Sequence, residues 1–383
     1  MIVFFVDYAH KSFAFTIHSF LVIRLETQQR KTSPVVKRHA PAEEPFMSQA
    51  FNYRKFYHGS HIMDRDGQKR HVTALNQEDA LEFLNQRPVE DQPFALQVAF
   101  YAPHTWNSQP FPDVYTPQNY TEALYDNITM SVPETATIES WENLPWFFTE
   151  QNEARQKWRK VYEPDFQVSK KRYARLVSEV DDAVGAIVAE LKAQGVYDNT
   201  LILFTSDNGY LHGENQLSGK WYPWDESIRV PLIIRDPRMP TAMQGTVNEE
   251  FTLSHDLAPT ILSAANIPVP IRMQGHDIAE LYLNPDGPTA QSWRPDFFYE
   301  MNRGDPITTA GHSDIYDEPA VFALIQKDWK YVYWPQGDLE EIFNVADDPH
   351  QQLNLAPTNM TKLAELRDRY NLLKAEAQGG AKV

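Results

Sequence analysis

Leu201-Ile-Leu-Phe-Thr-Ser206-Asp207-Asn208-Gly209 is an apolar run that breaks on a polar turn. Four apolar residues in succession, stopped by Ser-Asp-Asn-Gly, fit a strand buried on both faces. Immediately upstream, Lys171 to Gln194 carries Tyr173, Leu176, Val177, Val180, Val184, Ile187, Val188 and Leu191 at the spacing of one helical face. Gly195 closes that helix as a C-terminal cap. A helix delivering a buried strand predicts an α/β protein with a doubly wound sheet.

Working outward, Pro93 to Ala102 is a second apolar run, ending at Pro103-His104, and reads as a buried parallel strand that delivers a loop. Asn76 to Asn85 fits a short helix before it, and Val230-Pro-Leu-Ile-Ile-Arg235 a further strand after the central one. Pro112 to Phe166, rich in Pro, Trp and Tyr without periodicity, reads as a long irregular excursion. Helical spacing returns at His255 to Ala265. Beyond about Pro288 come strand-like runs at Phe297, Val321 and Trp329 and a helix from Lys362, which predict a small antiparallel sheet plus helix. Gln28 to Pro45 is polar and Pro-containing, as a linker would be. The expected division is an atypical segment 1–45, an α/β core 46–290 and a C-terminal subdomain 291–383.

Composition narrows the function classes. With 42% hydrophobic and 23% charged residues the chain is of globular type. Its formal charge of -17 disfavours nucleic acid and anionic membrane surfaces as partners, so an anionic substrate needs locally placed cations. There is no cysteine, hence no disulfide, thiolate metal site or cysteine nucleophile. Met1 to Leu25 is apolar but broken by Asp7, His10, Lys11, His18 and Arg24, which suits neither a membrane span nor a signal peptide. Asn-x-Thr triplets at Asn119, Asn127 and Asn359 read as chance occurrences.

Ligands of open α/β sheets bind beyond the carboxyl ends of strands. Asp207 and Asn208 offer a carboxylate and an amide oxygen at such an end, the hard ligands Ca²⁺ or Mg²⁺ prefers. His104, at the end of another strand, is suited to proton transfer or anion contact, and Lys220 is a compact cation suited to sulfate or phosphate oxygens. Singly, each has an ordinary structural reading: a turn, a loop histidine, a solvated lysine.

The whole segment from Phe204 to Pro237 is more specific. Ser206-Asp-Asn-Gly, then Gly213-Glu, Lys220 and Glu226-Ser-Ile-Arg-Val-Pro231 closely resemble the sulfatase family of the alkaline-phosphatase-like superfamily. Phe100-Tyr-Ala-Pro-His104, Val180-Asp-Asp-Ala-Val-Gly185, Asp256 to Leu262, Met273-Gln-Gly275 and Phe343 to Pro349 resemble it too, so the likeness runs from about Phe46 to the end. Asn215 departs from it, where the family usually has histidine. The resemblance implies a mixed doubly wound sheet flanked by helices, hydrolysis of a sulfate ester on a small molecule or glycan, and one divalent cation, usually Ca²⁺, held by Asp207 and Asn208. It also implies that His104 and Lys220 contact the sulfate, and that relatives are commonly exported.

The resemblance further implies a formylglycine nucleophile made from the first residue of Cys/Ser-x-Pro-Ser-Arg. Ser108-Gln-Pro-Phe-Pro112 and Ser131-Val-Pro-Glu-Thr135 lack the arginine and lie in the wrong part of the chain. The family's opening strand ending in Asp-Asp and its Gly-Lys-Trp-His-Leu-Gly segment do not occur as such; Ile2 to Asp7 offers one aspartate followed by Tyr8. The expectation is a sulfatase by lineage with roughly its first quarter replaced, inactive as it stands, weak in Ca²⁺ binding, with Met1 to Ile23 left to cover the place of a central strand. The alternatives are a non-enzymatic protein that binds a cation or sulfated glycan, and a two-metal phosphatase or phosphodiesterase, against which Asn208 argues.

Overall fold

The computed structural model describes residues 2–4, 15–16, 19–24 and 33–35 as strands, then 55, 57, 59–87, 93–284, 292–301 and 318–379. The main sheet has six strands: β1 (Ile2–Phe4), β2 (Ser19–Arg24), β3 (Ser33–Val35), β4 (Phe94–Val98), β5 (Thr200–Thr205) and β6 (Leu232–Arg235), in the spatial order β1-β6-β5-β2-β4-β3. β5 sends alternate side chains to opposite faces. Ile202 joins a core built with α1 (Val72–Gln86) and α2 (Phe166–Ala193), while Leu201 and Leu203 join a second core with Leu232, Ile234, Ile278 and Tyr282. Both faces are therefore dry, which is why this strand reads as a continuous apolar run.

The α2 stripe of Tyr173, Leu176, Val180, Ile187 and Leu191 is buried against β4 and β5. Asp165 caps its first turn by accepting from Val168 N at 3.0 Å, and Gly195, at φ 67°, ends it in the left-handed conformation that glycine adopts without strain.

The centre of the sheet holds the main departure from a parallel design. β2 lies between β5 and β4 and runs antiparallel to both, with Ser19 opposite Thr205 and Arg24 opposite Thr200. A segment near the amino terminus thus occupies the central place, entered from the opposite end. β4, expected to be parallel throughout, is parallel only to β3. Ser33–Val35 forms that edge strand, where a linker was expected; an edge leaves one side unpaired, so Pro34 is tolerated. β1 sits at the other edge, antiparallel to β6, and Asp7 lies outside the described residues.

The excursion expected over Pro112 to Phe166 is irregular as far as Asp165, with short helical turns at Asn119–Thr121, Ile138–Glu142, Glu153–Lys157 and Trp158–Tyr162, and Phe166 already opens α2. The carboxyl-terminal part is an antiparallel four-stranded sheet, β7 (Asp296–Met301), β8 (Val321–Gln326), β9 (Trp329–Trp334) and β10 (Leu339–Asn344). One face packs Val321, Ala323, Val332 and Trp334 on Leu211, Leu217, Tyr222 and Trp224, the residues that follow β5. The other packs Phe322, Leu324 and Tyr331 on Leu363, Leu366 and Tyr370 of a long helix, Met360–Gly379. The small sheet therefore buttresses the loop that carries the candidate site. No helix among the described residues is long and apolar enough to cross a membrane.

Candidate functional site

The chain leaves β5 through a tight, internally bonded turn. Buried Ser206 donates from Oγ to Asn208 O at 2.8 Å, and Asn208 Nδ2 donates to Gly209 O at 2.6 Å. Asn208 Oδ1 is thereby turned outward, where Lys220 Nζ donates to it at 2.9 Å. Gly209 passes so close to the next segment that a Cβ on it would lie 2.2 Å from Glu226 O and 2.8 Å from Arg229 O. Only glycine fits, and its tight approach locks the turn against Glu226-Ser-Ile-Arg229. Phe15–Thr16 adds a short antiparallel ladder, with Thr16 opposite Asn208.

Lys220 is half-buried, and burial lowers its pKa. Asp207, Glu153 and Glu318 act in the opposite sense, while the Lys157 ammonium adds to the lowering. Lys157 itself pairs with Glu153 at 2.9 Å and lies 4.9 Å from the Trp221 ring centre. Lys220 thus sits among two neighbouring chain segments of mixed charge, in contact with Asn208 and in the field of exposed Asp207.

His104 stands on the loop after β4. Its Nδ1 donates to Thr105 O at 2.8 Å, and its ring lies 5.4 Å from that of Tyr101. The residue that fixes this loop is His61, which sequence reading missed. His61 Nε2 donates to His104 O at 2.8 Å and Nδ1 accepts from Thr116 N at 2.9 Å, so both ring nitrogens are committed in the neutral form. Burial holds its pKa down to about 3. The described contacts thus join Lys220, Asn208 and Asp207 in one group, and tie His104 to His61, Tyr101 and Thr105 in another.

Beneath the turn lies a second feature without a sequence signal. His212 is fully buried, with Nδ1 hydrogen-bonded to Tyr162 OH, which in turn meets Tyr115 OH at 2.9 Å. Glu214 accepts from His212 N at 2.5 Å, and the Lys170 ammonium lies buried in the field of both. Burial raises Glu214 to about 7 and lowers Lys170 to about 8.

The fit of Ca²⁺ can be judged on these residues. Calcium takes six to eight oxygens. Among the described residues, no group of three or more His, Cys, Asp and Glu side chains is placed to hold a metal, and an ammonium already occupies Asn208 Oδ1. The described residues do not fit the family's cation.

With a dry mixed sheet, a polar turn at the end of β5 and a buttressing antiparallel sheet, the architecture is alkaline-phosphatase-like. The solved structure of a protein in complex with its substrate D-glucosamine-2-N,6-O-disulfate has a TM-score of 0.68 at 21% identity, covering 91% of this chain and 79% of that one. A phosphonate monoester hydrolase from Silicibacter pomeroyi has 0.64 at 21% identity, covering 90% and 77%. Likeness at such identity shows the fold alone. The sulfatase family model matches residues 30–267, more than half of the chain, and the model for the C-terminal part of N-sulphoglucosamine sulphohydrolase matches 213–376. The chain belongs to the sulfatase family. It is 29% identical over 303 residues to an ulvan-active sulfatase of Formosa agariphila, covering 78% of this chain and 51% of that relative. An extracellular sulfatase SULF-1 homolog of Drosophila melanogaster is 31% identical over 267 residues, 67% of this chain and 22% of that relative. The chain therefore spans about half the length of the first relative and less of the second.

Proposed function

We propose that this chain recognises a sulfate ester, with Lys220 and His104 as the groups that meet the sulfate, and does not cleave it by the family's covalent route. The observation that carries this reading is chemical: the 383 residues contain no cysteine and no Ser-x-Pro-Ser-Arg. These 383 residues therefore carry no precursor of the formylglycine by which the family attacks sulfur. Binding makes a smaller demand. An ammonium carries three N–H donors, and one of those on Lys220 goes to Asn208. Among the described residues no other hydrogen bond engages this ammonium, which leaves donors for sulfate oxygens in a half-buried place where charge is less screened than at the surface.

A sulfated sugar is the favoured ligand class. The fold neighbour described above was solved with a sulfated glucosamine, and a relative is ulvan-active. A net charge of -17 requires that such an anion be drawn by local cations, so binding should weaken with salt. The test is release of 4-nitrophenol from 4-nitrophenyl sulfate by the purified chain, with and without CaCl2. No release above a buffer control is expected. Sustained release that co-purifies with the chain would overturn the reading.

A further inference from the structure

The geometry points to Lys220 as this chain's own counter-cation for the Asp207–Asn208 pair, an internal ammonium standing where relatives place a divalent ion. This rests on the reading of Asp207 and Asn208 as the family's ligand pair, and is independent of whether a sulfated sugar binds.

Two observations carry it. The first is the direct contact: Asn208 Oδ1 accepts from Lys220 Nζ at 2.9 Å, and the turn is built to present that oxygen, since Asn208 Nδ2 is held by Gly209 O. A cation at Asn208 Oδ1 would have to displace the ammonium and then face it at close range. The second is the direction of β2. A parallel strand in this place would bring its carboxyl end to the site. Because β2 is antiparallel, its amino end arrives instead, with Ser19 opposite Thr205, and Thr16 of the preceding ladder opposite Asn208. Neither is a carboxylate, and no Asp or Glu occurs anywhere from Tyr8 to Arg24, a stretch that includes His10, Lys11, His18 and Arg24. Asp7, which lies outside the described residues, is the one acidic residue from Met1 to Arg24. Asp207 has the Lys220 charge beside it.

The consequence is a turn whose shape and charge balance do not depend on calcium. Thermal unfolding of the purified chain in EDTA and in 5 mM CaCl2 tests this, with Lys220→Met and the double variant Asp207→Asn/Lys220→Met alongside. Wild-type Tm should agree in the two buffers to within about 1 °C. Lys220→Met should unfold some 2–4 °C earlier, the scale of one weakened charged contact in a chain of this size, and the double variant should recover part of that loss because the carboxylate that Lys220 faces is gone. A calcium-induced rise in wild-type Tm of more than about 3 °C would overturn the proposal, and needs no variant to fold. So would a double variant less stable than Lys220→Met alone. No arm contains a sulfated ligand, so failure here and failure of sulfate recognition are separate results.

Discussion

Gln352 Nε2 donates to Asn215 Oδ1 at 2.9 Å, joining the loop after the Ser206-Asp-Asn-Gly turn to the segment beyond β10. Asn215 stands at φ 51°, a conformation asparagine tolerates better than most residues. The bond crosses 137 residues of sequence. Asn215→Ala should therefore cost about 1–2 kcal/mol in urea unfolding, combining a lost bond with a strained alanine. Gln352→Ala should cost less, since the backbone of Asn215 is unchanged. Equal losses would argue against the conformational part.

Gly209 offers a sharper steric test. The atoms a Cβ would meet, Glu226 O and Arg229 O, are both backbone and cannot swing aside. Gly209→Ala should destabilise by roughly 2 kcal/mol or more and open the turn. A change below about 0.5 kcal/mol would mean the two segments are not clamped.

His61 predicts an acid limb in stability. Its folded pKa, about 3, lies below the ordinary 6.5, so the unfolded chain takes up the proton first. The contribution is complete above pH 6.5 and is lost as pH falls toward 3, at about 1.4 kcal/mol per pH unit within that window. Denaturant midpoints for wild type and His61→Gln between pH 7 and 4.5 should show the variant losing stability less steeply, by about one proton. Parallel slopes would contradict the neutral, doubly bonded histidine.

Glu214 has the opposite sign. Its carboxyl is raised from 4.5 to about 7 by burial first and by Glu226 second, so the stability it contributes is complete below pH 4.5 and is lost as pH rises through 7. Glu214→Gln should gain stability relative to wild type between pH 5 and 8, and Lys170→Met/Glu214→Gln should be at least as stable as wild type at pH 7, because two buried charges are removed together. A variant that falls further behind as pH rises would refute the assignment.

How far these features were visible in sequence follows from their range. The runs at Phe94–Val98 and Thr200–Thr205 and the stripe of α2 were legible because burial on two faces or one leaves a local pattern. The strand β10 was not called, since Leu339-Glu-Glu alternates too weakly, and Glu341 is tied to Trp334 Nε1 only through the fold. The direction of β2 leaves no trace in Ser19-Phe-Leu-Val-Ile-Arg24, because an apolar run reads alike both ways. At the site, the sequence pairs Asp207 with Asn208 as metal ligands and His104 with Lys220 as sulfate contacts; the described contacts join Lys220 to Asn208 and tie His104 to His61, Tyr101 and Thr105. His61 and the Lys170–His212–Glu214 cluster were missed: a lone histidine and a lysine in a helix carry no spacing, and the partners of His61 and Lys170 lie tens of residues away.

Recognition without cleavage is tested most directly by ligand-observed NMR of the chain with D-glucosamine-2-N,6-O-disulfate, which reads both halves in one sample. The expected result is saturation transfer from protein to sugar that fades in 0.5 M NaCl and in Lys220→Met, with the ligand spectrum unchanged over a day. Accumulation of a desulfated sugar in the wild-type sample, or no saturation transfer at low salt, would contradict it.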